Sequence, residues 1–494
     1  MSPWLLSPDG FLNPQISIHT HHFIRIAGGL LMFGTLLWTL PHRRRFFISE
    51  RWNGYGESSP EVDLIQNPFV YPFVMALWMG STLCLVAGWY SVAAAFVNLV
   101  FCRYFFVRMR WGGILRGMGA PGAMSWWLAV GMFLLEYTNR YAPELKSLAL
   151  LVMQVDFALI MFSSGLYKFT AGYPQNEGFQ LGLVNPQWSY WTSLYKNIPP
   201  GHWFFRIMNQ MAWLTEIVAS MLMIVPQTRF IGGAVIAVTF LYIMTQIRLG
   251  LLCEMVALCC VFYFYPGSLG DRALSMLMPT PAESDLPSFE VPPVTNSVLA
   301  IALWAYLILL PFAHAGLFYN FYGRRSFPAL IQRTLEAYTK FFGITIWRVF
   351  SVDIINFFIL IHHQPRDGGD RSLISRYGHR GGLRYAHVAE SITVTCLFTT
   401  LKYYPSNSDL FQQRLLRYAK TIPHPDGSVL IFEYVSITKA ESAFEHTTVA
   451  EYEVDIRSET VNERIISEDI SVHAADKASP VFEGGKPGSY APLK

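Results

Sequence analysis

Apolar residues fall in long blocks along the first two thirds of this chain, separated by short polar breaks, and that spacing predicts membrane-spanning helices. The blocks run over 24–40, 70–87, 91–107, 123–137, 147–167, 205–225, 230–249, 251–265 and 297–318. They predict about nine spans, although the blocks at 123–137 and 251–265 fall short of the ~20 residues a perpendicular crossing needs. Those two are expected to be tilted, re-entrant or buried by their neighbours.

Beyond Arg325 the periods shorten. Residues 329–341 read as an amphipathic helix, and 354–361 and 391–403 as strands. A helix is expected from Ser408, with Asp409 in its first turn, to Ala419, followed by strands at 429–437 and 449–456. The fold expected is a polytopic α-helical membrane domain over 1–325 and a small α+β soluble module with its own core over 326–471. A tail over 472–494, rich in Gly, Pro, Ala and Ser, would be ordered only by a partner.

Composition agrees with this reading. Of 494 residues, 52% are hydrophobic and only 14% charged, which excludes an ordinary soluble globular protein. A formal net charge of +3, with the basic residues scattered among apolar runs, excludes a nucleic-acid surface. Cys84, Cys102, Cys253, Cys259 and Cys260 lie in apolar runs and Cys396 in a predicted strand, with no zinc or redox spacing, so they read as small buried side chains. The polar stretch 1–22 is unlike a cleavable signal, and the first apolar block is expected to stay in the membrane.

Trp89, Tyr90, Trp111, Trp126, Trp127, Trp188, Trp191 and Trp203 fall near predicted helix ends, as an interfacial aromatic belt would. Arg43, Arg44 and Arg45, then Arg103, Arg108, Arg110 and Arg116, then Arg324, Arg325 and Arg333 follow alternate spans. With nine spans these clusters share one side, and the positive-inside rule makes it cytoplasmic together with the C-terminal module. The loop with Asp271, Glu283, Asp285 and Glu290 then lies outside.

The candidate chemistry centres on Lys168, at the end of the 147–169 run. A lysine there either snorkels to the headgroups as an anchor or stands in a dry pocket, where an amine can act as a base near neutral pH. Asp156 lies about 18 Å and about 120° away on the same helix, so it cannot pair with Lys168 and must face the bundle interior. Ser164 is one turn before Lys168 and points the same way, whereas Tyr167 shares the stripe of Asp156. Glu136, Asn209, Gln210, Glu216, Gln246, Arg248, Glu254 and His314 also stand at membrane depth. Such a set implies an interior cavity or a network of structural hydrogen bonds.

The segment from Gly165 resembles the membrane domain shared by vitamin K-dependent γ-carboxylases and the bacterial horizontally transferred transmembrane family. The resemblance is carried by Gly165, Leu166 and Lys168, by Tyr173, Glu177 and Gly178, by the polar-studded run 205–225, and by Arg229. It covers 147–265 in motif detail and 23–265 in hydropathy order. The layout of the whole chain is more distantly similar to lipase maturation factors, which are membrane-bound folding helpers.

The resemblance implies a bacterial cytoplasmic membrane protein in which Lys168 is the base acting on a quinone-like or other lipid-soluble molecule, with Asp156, Tyr167 and Glu254 in the pocket. It also implies an exoplasmic module, opposite to the side the arginines indicate. Two positions depart from the family pattern: Gly119-Ala120-Pro121-Gly122 stands where an Asn-His pair is expected, and Thr170 where an acidic residue is expected. These departures favour an accessory, maturation or structural subunit of a larger membrane assembly, in contact with membrane lipids. The alternative is the membrane enzyme.

His19, His21 and His22 are candidate metal ligands, with an interfacial polar edge as the default, because no carboxylate or cysteine falls at ligand spacing. His362 and His363 follow a strand without ligand partners nearby in sequence. The stretches 367–370 and 379–382 read as glycine turns and match no phosphate-cradling motif.

Overall fold

The computed structural model describes residues 12–108, 119–278, 292–349, 352–375, 388–403, 407–425 and 427–467. The expected tail, Arg110, Trp111, Arg116, Glu283, Asp285, Glu290 and the 379–382 turn lie outside the described residues.

Each apolar block is helical. The helices are α1 (Ile18–Thr39), α2 (Tyr71–Ala87), α3 (Ser91–Cys102), α4 (Gly119–Tyr141) and α5 (Lys146–Thr170). They continue with α6 (Trp203–Ile224), α7 (Arg229–Gln246), α8 (Leu252–Val261), the short α9 (Leu269–Leu277) and α10 (Pro293–Gly323). Length and composition make five of them candidate membrane spans: the segments Ile18–Phe46, Pro143–Thr170, Trp203–Ile224, Arg229–Gln246 and Pro293–Gly323. That is fewer than the nine expected.

The difference has a physical reason in α8. Ten residues reach only about 15 Å, half of a ~30 Å hydrocarbon core. Leu252, Met255, Val256, Cys259 and Cys260 are all buried, so α8 is enclosed by neighbouring helices and its sequence reads as core.

Contacts fall at two ends of the bundle. At one end Thr20 Oγ1 donates to Asp271 Oδ1 at 2.8 Å, and Asn296 Nδ2 donates to the Tyr141 carbonyl at 3.0 Å. At the other end the loop after α1 meets the C-terminal region, where Arg417 reaches Glu50 at 2.9 Å and Arg45 lies 5.0 Å over the Tyr418 ring. The arginine-rich loops and the C-terminal sheet therefore share one end.

Helix α11 (Ala329–Phe342) forms as its amphipathic pattern predicts, but it packs on α10 and on the π-helical turn Arg103–Arg108 after α3. It belongs with the membrane helices. The module itself holds β1 (Phe357–Pro365), β2 (Ser372–Leu373), α12 (Val388–Tyr403), α13 (Ser408–Ala419), β3 (Ser428–Lys439), β4 (Phe444–Asp455) and β5 (Thr460–Ile465). The five strands form one antiparallel sheet in the order β2-β1-β3-β4-β5, with Ile359 opposite Tyr434 and Phe432 opposite Tyr452.

The expected strand at 391–403 is instead helix α12. Its Thr and Val residues imitate a strand, but Thr393 and Thr399 return their hydroxyls to the carbonyls of Ala389 and Cys396 at 2.5 and 2.7 Å, as helical threonines do. Cys396 is accordingly helical, and the run shows no solvent-facing stripe because α12 is buried between two cores. Val394, Leu397 and Phe398 enter the module core, while Val388 and Ile392 join the core of the membrane domain. The strand expected at 354–361 starts at Phe357, after a helical turn at Val352–Ile355. β5 escapes sequence reading because it is an exposed polar edge.

The aromatic belt is only partly as expected. Trp89, Trp191 and Trp203 are exposed near helix ends, but Trp127 and Trp188 are core residues. They fill space between helices.

Candidate functional site

Lys168 is not an anchor at the headgroups: it is 5% exposed, and its ammonium forms an ion pair with Glu216 of α6, which is 1% exposed. Ser164 Oγ, one turn back on α5, accepts a second bond from Nζ at 3.4 Å. The helices can approach this closely because Gly165 sits at the crossing. A Cβ there would stand 2.7 Å from Ile217 Cγ1 and 2.9 Å from the Trp213 carbonyl oxygen. Small residues at helix crossings serve this purpose in membranes.

Above the pair, the loop from Ala171 folds into a platform. Tyr173 is fully buried, and burial together with the Glu216 charge pushes its hydroxyl well above the usual phenol range. Asn209 accepts from the Phe179 N–H at 2.8 Å and donates to Gln180 at 2.6 Å, and Gln210 donates to the Pro174 carbonyl at 3.0 Å. Several polar residues of the sequence reading are thus structural bonds between α6 and this platform.

The platform in turn holds the module. Asn185 Nδ2 donates to the carbonyls of Ile355 and Phe357 at 2.9 and 2.8 Å. Gln187 donates to the Ser391 carbonyl at 2.9 Å and to the Thr395 hydroxyl, and accepts from the Ile359 N–H. Both side chains are fully buried. Lys439 Nζ donates to the Asn176 carbonyl at 2.9 Å, and burial lowers its pKa. His446 of β4 lies against the same platform, and burial, aided by Lys196, pushes its imidazole down to about 4.

Asp156 is separate from Lys168, as the helical geometry requires. Trp127 Nε1 donates to Asp156 Oδ2 at 3.1 Å, and Tyr306 of α10 supplies a second hydrogen bond. Asp156 opens on a cavity of about 670 Å³ bounded by α3, α4, α5, α10 and α11. Tyr167 turns toward Phe321 and Arg348, at 5.9 and 6.0 Å, away from the lysine. Glu254 stands in the first turn of α8, partly buried, and is not a partner of Lys168. Of the expected pocket residues Asp156, Ser164, Tyr167 and Glu254, the structure therefore joins only Ser164 to Lys168.

His21 meets Glu136 of α4 at 2.9 Å, and His22 lies 3.0 Å from the Arg25 guanidinium. Among the described residues no three His, Cys, Asp or Glu side chains stand together as metal ligands. In the module, His362 is 3.2 Å from Glu433, whose pKa this bond lowers.

Glu216 was visible in the sequence as an acidic group at membrane depth, but its pairing depends on the register of α6 against α5, which spacing does not supply. Asn185 and Gln187 carry no sequence signal. Compared with known proteins, the chain matches no family model, no curated protein and no solved structure.

Proposed function

We propose that this chain is a multi-pass integral membrane protein whose apolar helical segments lie within the bilayer, with the short α8 enclosed among them, and that it is an accessory, maturation or structural subunit of a larger membrane assembly. The observation that carries this reading is the engagement of Lys168 by Glu216. The side chain best suited to be a base is spent on joining two helices, and its loop is spent on holding the module. The shared end of the arginine loops and the module favours a cytoplasmic module under the positive-inside rule. The carboxylase-like resemblance favours a bacterial cytoplasmic membrane.

The test is gentle solubilisation of the tagged chain from its native membrane, followed by native electrophoresis. A complex well above the 56.2 kDa of the chain, with co-purifying subunits, supports the reading. Migration as a lone monomer contradicts it.

A second reading keeps a specific observation of its own. Glu216 Oε2 is buried without a hydrogen-bond partner among the described residues, so the pair retains an unused acceptor beside an amine. A membrane enzyme acting on a quinone-like or other lipid-soluble substrate would use Lys168 as the base and Glu216 as the proton relay. Under that reading Lys168→Ala abolishes turnover of a bound lipophilic molecule, identified by mass spectrometry, while the folded yield is unchanged.

A further inference from the structure

The 670 Å³ cavity lies within the range of about 300–1,000 Å³ usual for small-molecule sites. Its walls are mostly apolar, including Leu99, Val130, Phe133, Met153 and Ala302, and the exposed Val100 and Phe341 place it at the outer face of the bundle. Apolar walls facing lipid would accept any acyl chain. What distinguishes this cavity is its inner end.

A second void of about 40 Å³ adjoins it and shares Trp126, Trp127, Asp156, Tyr306 and Phe342 as walls. That volume is enough for a small polar group, since a void of about 10–15 Å³ by this measure already admits a water. Its other walls include His314 and Trp347, which are 2% and 4% exposed. His314 Nδ1 lies 3.2 Å from the Leu310 carbonyl, which assigns the proton to Nδ1 and leaves Nε2 as an acceptor. Among the described residues Nε2 has no hydrogen-bond partner, and neither has Trp347 Nε1–H, a pure donor.

A buried acceptor and a buried donor left unmade cost about 1–3 kcal/mol each, so the void favours an occupant that satisfies both. An occupant that pairs with both must donate to His314 and accept from Trp347. A hydroxyl does both. A carbonyl or a carboxylate accepts only, and an ammonium donates only.

We propose that these joined voids are a binding site for a single-chain lipid ending in a hydroxyl, that is, a long-chain alcohol. The hydroxyl sits between His314, Trp347 and Asp156, and the chain lies in the apolar cavity and leaves toward the bilayer. Arg103, at another wall, lies 5.1 Å from the Phe341 ring and keeps Nη1 without a hydrogen-bond partner among the described residues, so an anionic head at Arg103 is the rival that the test must separate. The site is independent of the Lys168 pair and of the assembly role.

The test uses the full chain in detergent and a hexadecanol carrying a mid-chain diazirine, with labelled peptides mapped by mass spectrometry. Saturable labelling within 152–156 and 302–306 is expected, displaced by 1-hexadecanol and about tenfold less well by hexadecane or palmitate. His314→Leu and Trp347→Phe each remove an unpaired polar atom; both should fold, with melting midpoints lowered by no more than a few degrees for the lost Leu310 bond and the lost ring packing, and each should lower the apparent affinity about tenfold. Equal displacement by hexadecane would reduce the site to a lipid-filled groove and overturn the proposal. Stronger displacement by palmitate would place the head at Arg103, and unchanged affinity in both variants would leave the small void to water; either result overturns it as well.

Discussion

Helix α5 carries two polar centres twelve residues apart, and they are built oppositely. Around Lys168 the packing is closed: Gly165 lets α6 touch the backbone, Glu216 meets the ammonium, and the following loop seals the pair. Around Asp156 the packing is open, with one carboxylate oxygen held by Trp127 at 3.1 Å and a cavity beside it. A charged residue in a membrane helix thus takes its role from how closely the next helix approaches. Lys168, which the sequence marks as reactive, is tied down, while Asp156 is the one with room for a guest.

The largest effect is expected at the closed end. Gly165→Val should cost about 3 kcal/mol or more, because the new side chain meets the α6 backbone and no rotamer relieves it. Ala302→Leu, which grows into the cavity, should change stability by less than about 1 kcal/mol. Melting midpoints in one detergent check both, and equal losses would remove the contrast between the ends.

Gln187→Leu should cost about 1–3 kcal/mol for each partner it strands, and the effect should localise to α12 and β1. Hydrogen exchange would show faster opening of those elements while α5 and α6 stay protected. Uniform loss of protection would mean that the module and the closed end unfold together.

A smaller effect is expected from pH. Burial holds His446 at about 4, below its ordinary 6.5, so between these values the unfolded imidazole binds a proton that the folded one refuses. Docking of the module should therefore be strongest above pH 6.5 and weaken progressively as pH falls toward 4. The His446→Gln variant should flatten that slope when exchange in β4 is followed from pH 7.5 to 4.5. The smallest effect is expected for Asp156→Asn, which keeps an acceptor for Trp127 and should cost less than about 1 kcal/mol.

The apolar helices were legible because blocks of that length and composition form helices, five of them long enough to be candidate membrane spans, and the α13 boundaries were legible because Asp409 and the apolar spacing mark a helix with a clear start. α12 was misread because its β-branched residues favour a strand, and a segment buried on nearly all sides has no wet face whose period would tell helix from strand. The α8 block has the composition of a span but only ten helical residues, so hydropathy alone could not set its depth. At the site, single-helix geometry was enough to place Ser164 beside Lys168 and to separate Asp156 from it. The partners Glu216, Trp127 and Tyr306 come from other helices, and their register is a tertiary property that no local pattern records.

Lys168 joins α5 to α6 through Glu216, and a double-mutant cycle on Lys168→Met and Glu216→Leu measures that coupling. Each single variant should lose about 3–5 kcal/mol by leaving a buried charge unpaired, and the double variant should recover most of that loss through apolar packing. Lys168→Met with an unchanged melting midpoint, and no coupling to Glu216→Leu, would contradict the account.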